Sequence, residues 1–106
     1  MITSDGIGED NRRLSIKLMA DTLRAIAQGD RRPAKIVLMN SGVALACEGS
    51  PAVEALRRMS DSGTEVLVSA ESLEFLGLRG LLMAGTAADV QRTTDAILSA
   101  AQVMKL

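Results

Sequence analysis

The sequence predicts a three-layer α/β/α domain built on a five-stranded, mostly parallel sheet. Short apolar runs alternate with amphipathic segments along the whole chain. The runs are nearly continuous in hydrophobicity, which suits strands covered on both faces. The resulting order, β-α-β-α-β-α-β-α-β, calls for right-handed crossovers and helices on both faces of the sheet.

Ile2-Thr3 is the stub of a first strand. It begins at the chain's first residue, so either the strand is short or the natural protein extends upstream. Residues 11–28 carry Ile16, Met19, Ala20, Leu23, Ile26 and Ala27 at the i, i+3, i+4, i+7 spacing of a helix with one buried face. Gly29-Asp30 ends it, and Pro33 lies beyond. Residues 35–40, Lys-Ile-Val-Leu-Met-Asn, form the second strand. Ser50-Pro51 reads as an N-cap followed by proline in the first turn. Val53, Leu56 and Met59 then give that helix its inner face, and Gly63 stops it.

Residues 65–69, Glu-Val-Leu-Val-Ser, make the third strand, and a short helix runs through Leu73 and Phe75 to Gly77. Residues 81–84 are a weak fourth strand. Thr86, spaced from Asp89 like a capping box, is expected to cap a last helix with Val90, Thr94, Ile97, Leu98 and Ala101 on its inner face. Residues 102–106 are expected to close the sheet.

With 106 residues the chain reads as one domain, 1–106. A domain of this size buries roughly two thirds of its unfolded surface, enough for a core without staples. Hydrophobic residues make up 47% of it, which argues against disorder. No apolar run reaches the ~20 residues of a membrane helix, and nothing at the N-terminus resembles a signal peptide. A single cysteine forbids an internal disulfide. A reducing cytoplasm is the expected location, with no membrane association.

The absences exclude whole classes of chemistry. With no histidine, this chain cannot build a Ser-His or Cys-His nucleophile pair or a His-containing zinc site. Phe75 is its only aromatic residue, so a base-stacking platform is missing. The net charge of −1 offers no general attraction to phosphate backbones. Neither a cofactor nor a nucleic-acid partner is expected.

In an open parallel sheet the loops at the carboxyl ends of the strands line one crevice. The first such loop holds Ser4, Asp5, Gly6, Gly8, Glu9 and Asp10. Gly6-x-Gly8 before a helix invites a phosphate reading, but no P-loop lysine follows and the acids would repel phosphate. The acids suit a divalent cation or, more simply, the positive end of the helix. The second loop runs from Asn40, Ser41 and Gly42 to Glu48 and Gly49, and holds the only thiol, Cys47. A reactive thiol needs exposure and positive surroundings, whereas Leu45, Ala46 and Glu48 supply apolar and acidic ones. Cys47 is therefore either a small buried hydrophobe or a catalytic thiol. The third loop places Ser69 at a strand end before a helix, with Ser72 a turn later. That is an N-cap position.

Ile2-Thr3-Ser4-Asp5, Leu18-Met19, Asn40-Ser41-Gly42-Val43, Glu48-Gly49-Ser50 and residues 73–78, Leu-Glu-Phe-Leu-Gly-Leu, occur in an order and spacing that resembles the C-terminal domain of YedF-type selenium-metabolism proteins. That domain belongs to the DsrE/DsrF-like (DsrEFH-like) superfamily. The resemblance implies an oligomeric three-layer α/β/α domain of the sulfur relay, whose relatives pass persulfide sulfur from a cysteine to a partner such as a TusA-like carrier protein. It also implies a Cys-x-x-Cys at the end of the third strand, and here those positions are Ser69 and Ser72. A serine hydroxyl cannot hold a persulfide. The N-terminal TusA-like domain of YedF proteins has no counterpart in this chain either. Whether the chain is an enzyme stays open at this point.

Three readings follow: a carrier-less binding or scaffold member of the relay, a sulfurtransferase whose carrier has moved to Cys47, and a module that binds a small anion or metabolite in the crevice. The crevice would be lined by Ser4, Asp5, Asn40, Ser41, Gly42, Glu48, Gly49, Ser69 and Ser72. The Leu81-Leu82-Met83 run and several methionines on helix faces leave apolar surface to cover, so a homo-oligomer, a dimer or trimer, is expected.

Overall fold

A computed structural model describes residues 1–106 as an α/β domain. Its three-stranded parallel sheet has the order β1 (Lys35–Leu38), β2 (Glu65–Ser69), β3 (Thr86–Ala88). Lys35 to Leu38 pair with Glu65 to Val68, and Leu67 to Ser69 with Thr86 to Ala88. Ile2 extends the sheet outside β1 by a single parallel bridge to Leu38.

Strand side chains alternate between faces, and the two faces are unequally covered. Ile36, Leu38, Val66 and Val68 enter a core cluster of 19 buried residues with Met19 and Leu23 of α1 (Arg12–Gln28) and Leu56 and Met59 of α2 (Val53–Asp61). Val37, Leu67 and Ala88 face the other way and form with Ala96 of α4 (Val90–Ser99) a cluster of 4 buried residues, against which Met39 and Ile97 pack. Helices thus lie on both faces. The short α3 (Ala70–Phe75) follows β2 directly, at the carboxyl edge. No helix is long and apolar enough to cross a membrane.

Two caps in the first half differ from those read: Asn11 and not the acids before it caps α1, and the N-cap position of α2 is Ala52 and not Ser50. Asn11 accepts the Leu14 amide at 3.0 Å and caps α1. The Ser50 hydroxyl accepts the Ala52 amide at 3.0 Å, so it caps a turn, and regular helix begins at Val53. Residues 40–46 wind into a 3₁₀ helix, which starts from Asn40 at φ 52°.

Five further expectations need correction. The sheet has three ladder strands, where five were expected. Residues 81–84 are not a sheet strand: residues 79–81 form a 3₁₀ turn and Leu82 makes an antiparallel bridge to Cys47. The Met83 and Ala84 amides both donate to Ala46 O, at 2.8 and 3.1 Å, which ties the run to the second loop. The chain enters the sheet only after Gly85, where a Cβ would lie 2.8 Å from Val66 O.

Thr86 consequently sits in β3, and Asp89 caps α4 by accepting the Arg92 amide at 2.9 Å. The buried face of α4 is Thr93 and Ala96 with Ile97 partly covered, while Val90, Thr94, Leu98 and Ala101 point outward. Small side chains let this helix lie close to the sheet, so the largest apolar residues do not mark its inner face. Residues 102–106 form no strand: Met104 O accepts the Met1 ammonium at 2.7 Å and the Leu106 amide donates to Met1 O at 3.2 Å. These two bonds tie the segment to Met1 without forming a ladder.

Candidate functional site

The carboxyl edge of the sheet is where the sequence places its crevice, and backbone contacts join its loops. Gly42 packs directly on the first segment. A Cβ there would lie 2.6 Å from Ile2 O and 3.3 Å from Ser4 N. Only glycine allows this approach, because the obstacles are backbone atoms. Ser4 accepts the Gly6 amide at 3.3 Å. Ser41, half-buried, lies in the same 3₁₀ turn as Asn40 and Gly42.

A chain of hydroxyls joins the second and third loops. Ser69 is buried and its Oγ accepts the Ser72 amide at 3.1 Å, capping α3. The Ser72 Oγ accepts the Asn40 amide at 2.9 Å. The edge therefore gathers Ser4, Asn40, Ser41, Gly42, Ser69 and Ser72, and each hydroxyl placed by these bonds serves the fold. No buried side-chain nitrogen or oxygen lacks a partner.

Asp5 makes a bidentate pair with Arg12, at 2.8 and 2.6 Å. The carboxylate holds the Arg12 guanidinium above its ordinary pKa, first through the hydrogen bond and then through its charge. Gly6 is buried, and a Cβ there would lie 2.9 Å from the Ser15 Cβ, so it serves packing and does not leave an open cradle for phosphate. No three His, Cys, Asp or Glu side chains converge on a point suited to a metal ion.

Glu48 and Gly49 lie in a different neighbourhood. They form the turn after the Cys47–Leu82 bridge, and the Glu48 amide donates to Leu81 O at 2.8 Å. No hydrogen bond joins them to the Ser69–Ser72–Asn40 chain. Cys47 itself is 2% exposed and belongs to the main core. Its Sγ donates to Val43 O at 3.3 Å. Burial pushes the thiol pKa above its ordinary value, because a thiolate would be desolvated. No cation offsets that effect, and Cys47 sits at the C-terminal end of the 3₁₀ helix, so the thiolate is disfavoured.

Sequence reasoning missed Ser15, which is 5% exposed on the inner face of α1. Its hydroxyl donates to Gly8 O at 2.7 Å, and its carbonyl accepts the Ile7 amide at 3.0 Å. These bonds fold the first loop onto α1. The available signal was a lone polar residue one turn before Met19 on an otherwise apolar stripe.

Two cavities of about 570 and 580 Å³ lie away from this edge, on the face that α4 covers incompletely. One, of about 570 Å³, is an apolar groove between Ile2, Ile26, Val37, Ile97, Val103 and neighbouring residues. The other is polar and holds Glu65 between Lys35 at 3.7 Å and Arg92 at 3.1 Å. Sequence reasoning located neither. In comparisons with protein-family models, curated proteins and solved structures, the chain matches none.

Proposed function

We propose that this protein is a DsrE-like member of a cytoplasmic sulfur or selenium relay that acts as a homo-oligomeric binding or scaffold component. It does not carry sulfur itself. The observation that supports this reading is the state of Ser69. It stands at the carboxyl end of β2, where the resemblance places a carrier cysteine, and it is buried as the N-cap of α3. The only thiol, Cys47, is buried in the core with its pKa raised. Neither position offers an accessible thiolate, so what remains of the relay is recognition.

The test is a binding titration against a purified TusA-like sulfur carrier, followed by a sulfur-transfer assay with a persulfide donor. The expected result is saturable binding with no sulfane sulfur retained on the protein. Absence of binding would remove the scaffold reading. Sulfane sulfur retained by native protein and lost in Cys47→Ala would replace it with the relocated-carrier reading.

A further inference from the structure

We infer that the protein self-associates by seating Phe75 of one copy in the apolar groove of another. The inference deepens the assembly part of the function proposed above and rests on it. Two features of the fold are otherwise unexplained. Phe75, the only aromatic residue, is 90% exposed at the end of α3, with Leu76 44% exposed beside it. Large exposed apolar groups of this kind mark interfaces, and aromatic anchors dominate their energetics. The second feature is the groove of about 570 Å³, lined mostly by apolar side chains and flanked by exposed Val103 and Met104.

One copy cannot satisfy both features by itself. α3 leaves β2 at the carboxyl edge of the sheet. The groove runs along the outer side of β1, from Pro33 and Ala34 to Val37 and Ile2, and is bounded by the end of α4 and the tail after it. Phe75 does not line it and stays 90% exposed. Phe75 can therefore reach a groove only in a second molecule.

The unpaired charges favour the same contact. Glu71 lies one helical turn before Phe75 and makes no ion pair, while Glu74 is held by Arg79 at 3.0 Å. Near the groove, Arg31, Arg32 and Lys105 make no ion pair, against two unpaired acids, Asp30 and Asp95. An acidic anchor thus faces a rim that is positive on balance, and opposite potentials steer association.

The experiment is sedimentation equilibrium on the full chain, wild type and two variants, with far-UV circular dichroism to confirm folding. Phe75→Ala removes the anchor, and Val103→Glu places a charge in the groove; both residues are exposed enough for the fold to survive. Ala101→Trp, at another exposed groove residue, replaces Val103→Glu if that variant misfolds. Wild type is expected to associate at micromolar concentration, less tightly as salt rises. Each variant alone should weaken association roughly 30-fold or more, the scale of a hot-spot residue. Their mixture should form a heterodimer, because one supplies an intact groove and the other an intact anchor. Oligomers unaffected by Phe75→Ala, or a mixture without heterodimers, would overturn this interface while leaving an assembling protein. A monomeric wild type would overturn both the interface and the assembly part of the function. Val103→Glu that leaves the mass unchanged and abolishes uptake of an apolar dye would show a small-molecule site in place of a subunit contact.

Discussion

Replacing Gly42 by alanine tests whether the first segment is held against the second loop by backbone contact. The new Cβ would stand 2.6 Å from Ile2 O and 3.1 Å from Ile2 C. Both obstacles are main-chain atoms, so no side-chain rotation relieves them. Overpacking of this kind costs roughly 1–3 kcal/mol. Relief requires moving Ile2, which exchanges two ladder bonds with β1. Its amide donates to Val37 O, and its carbonyl accepts the Met39 amide, both at 2.9 Å. Each such bond is worth about 1 kcal/mol net.

Against this, alanine restricts the unfolded chain and stabilises by about 0.4–1 kcal/mol. The net expected loss is about 2–4 kcal/mol. Gly80→Ala is the matched control. Its backbone conformation is also ordinary, but nothing lies within 4 Å of the added carbon. It should gain the unfolded-state benefit alone. Urea unfolding of the three proteins measures both changes, with unchanged m-values identifying them as stability effects. Faster exchange of the Met39 amide should accompany the loss. If the two variants unfold within about 0.5 kcal/mol of each other, below the least overpacking cost, the close approach does not hold the edge together.

The remaining predictions each address one element. Native Cys47 should react slowly with a thiol reagent and rapidly only after unfolding; fast native labelling would contradict its burial. Because burial raises its folded pKa above the ordinary 9.0, its contribution is fully present below that pH and lost as pH rises through the folded value. Stability should therefore decline in the alkaline range for wild type more steeply than for Cys47→Ala. Asp89→Ala should cost about 0.5–2 kcal/mol as a lost N-cap, and Thr86→Ala distinctly less; the reverse order by thermal unfolding would restore Thr86 as the cap. Ser69→Ala should cost a similar ~0.5–2 kcal/mol and increase exchange at the Ser72 amide; an unchanged rate would remove the capping role. In hydrogen exchange the amides of α4 should be less protected than those of α1, since a cluster of 4 buried residues holds α4 and one of 19 holds α1. Equal protection would mean that coverage does not set local stability here.

Elements whose sequence signal and packing agree were legible. The inner face of α1, the bounds of β2 and the cap at Ser69 follow from periodicity and turn chemistry alone. The failures share a cause, which is tertiary choice among equivalent local options. Residues 81–84 are more apolar than 86–88, yet the latter join the sheet. The earlier run is captured by Ala46 O and Cys47 before the chain reaches β2. In α4 the apolar residues Val90 and Leu98 mark a helix but not its buried side, because Ala96 alone permits close approach to Val37 and Leu67. At the carboxyl edge, the joining of the Asn40, Ser69 and Ser72 loops was legible, since parallel topology brings strand ends together. The separation of Glu48 and Gly49 was not, because it depends on the Cys47–Leu82 bridge between residues distant in sequence. Whether hydroxyls are open or occupied is likewise decided by partners across loops.

The distribution of satisfied and unsatisfied surface separates two regions of the molecule. At the carboxyl edge the Ser4, Ser69 and Ser72 hydroxyls already accept backbone amides. A ligand there would have to break a cap to gain a bond, exchanging one bond of about 1 kcal/mol for another and gaining little. Along the outer side of β1 and on the α4 face the imbalance is apolar. Leu98 is 78% exposed and Met104 68%, and an open groove lies between the sheet and the tail. Covering such surface is favourable at about 25 cal/mol per Å² and breaks no existing hydrogen bond. Apolar surface open to a partner is therefore found at the groove, where the sequence shows no motif, and at Phe75, while the hydroxyls of the carboxyl edge contribute mainly to the fold.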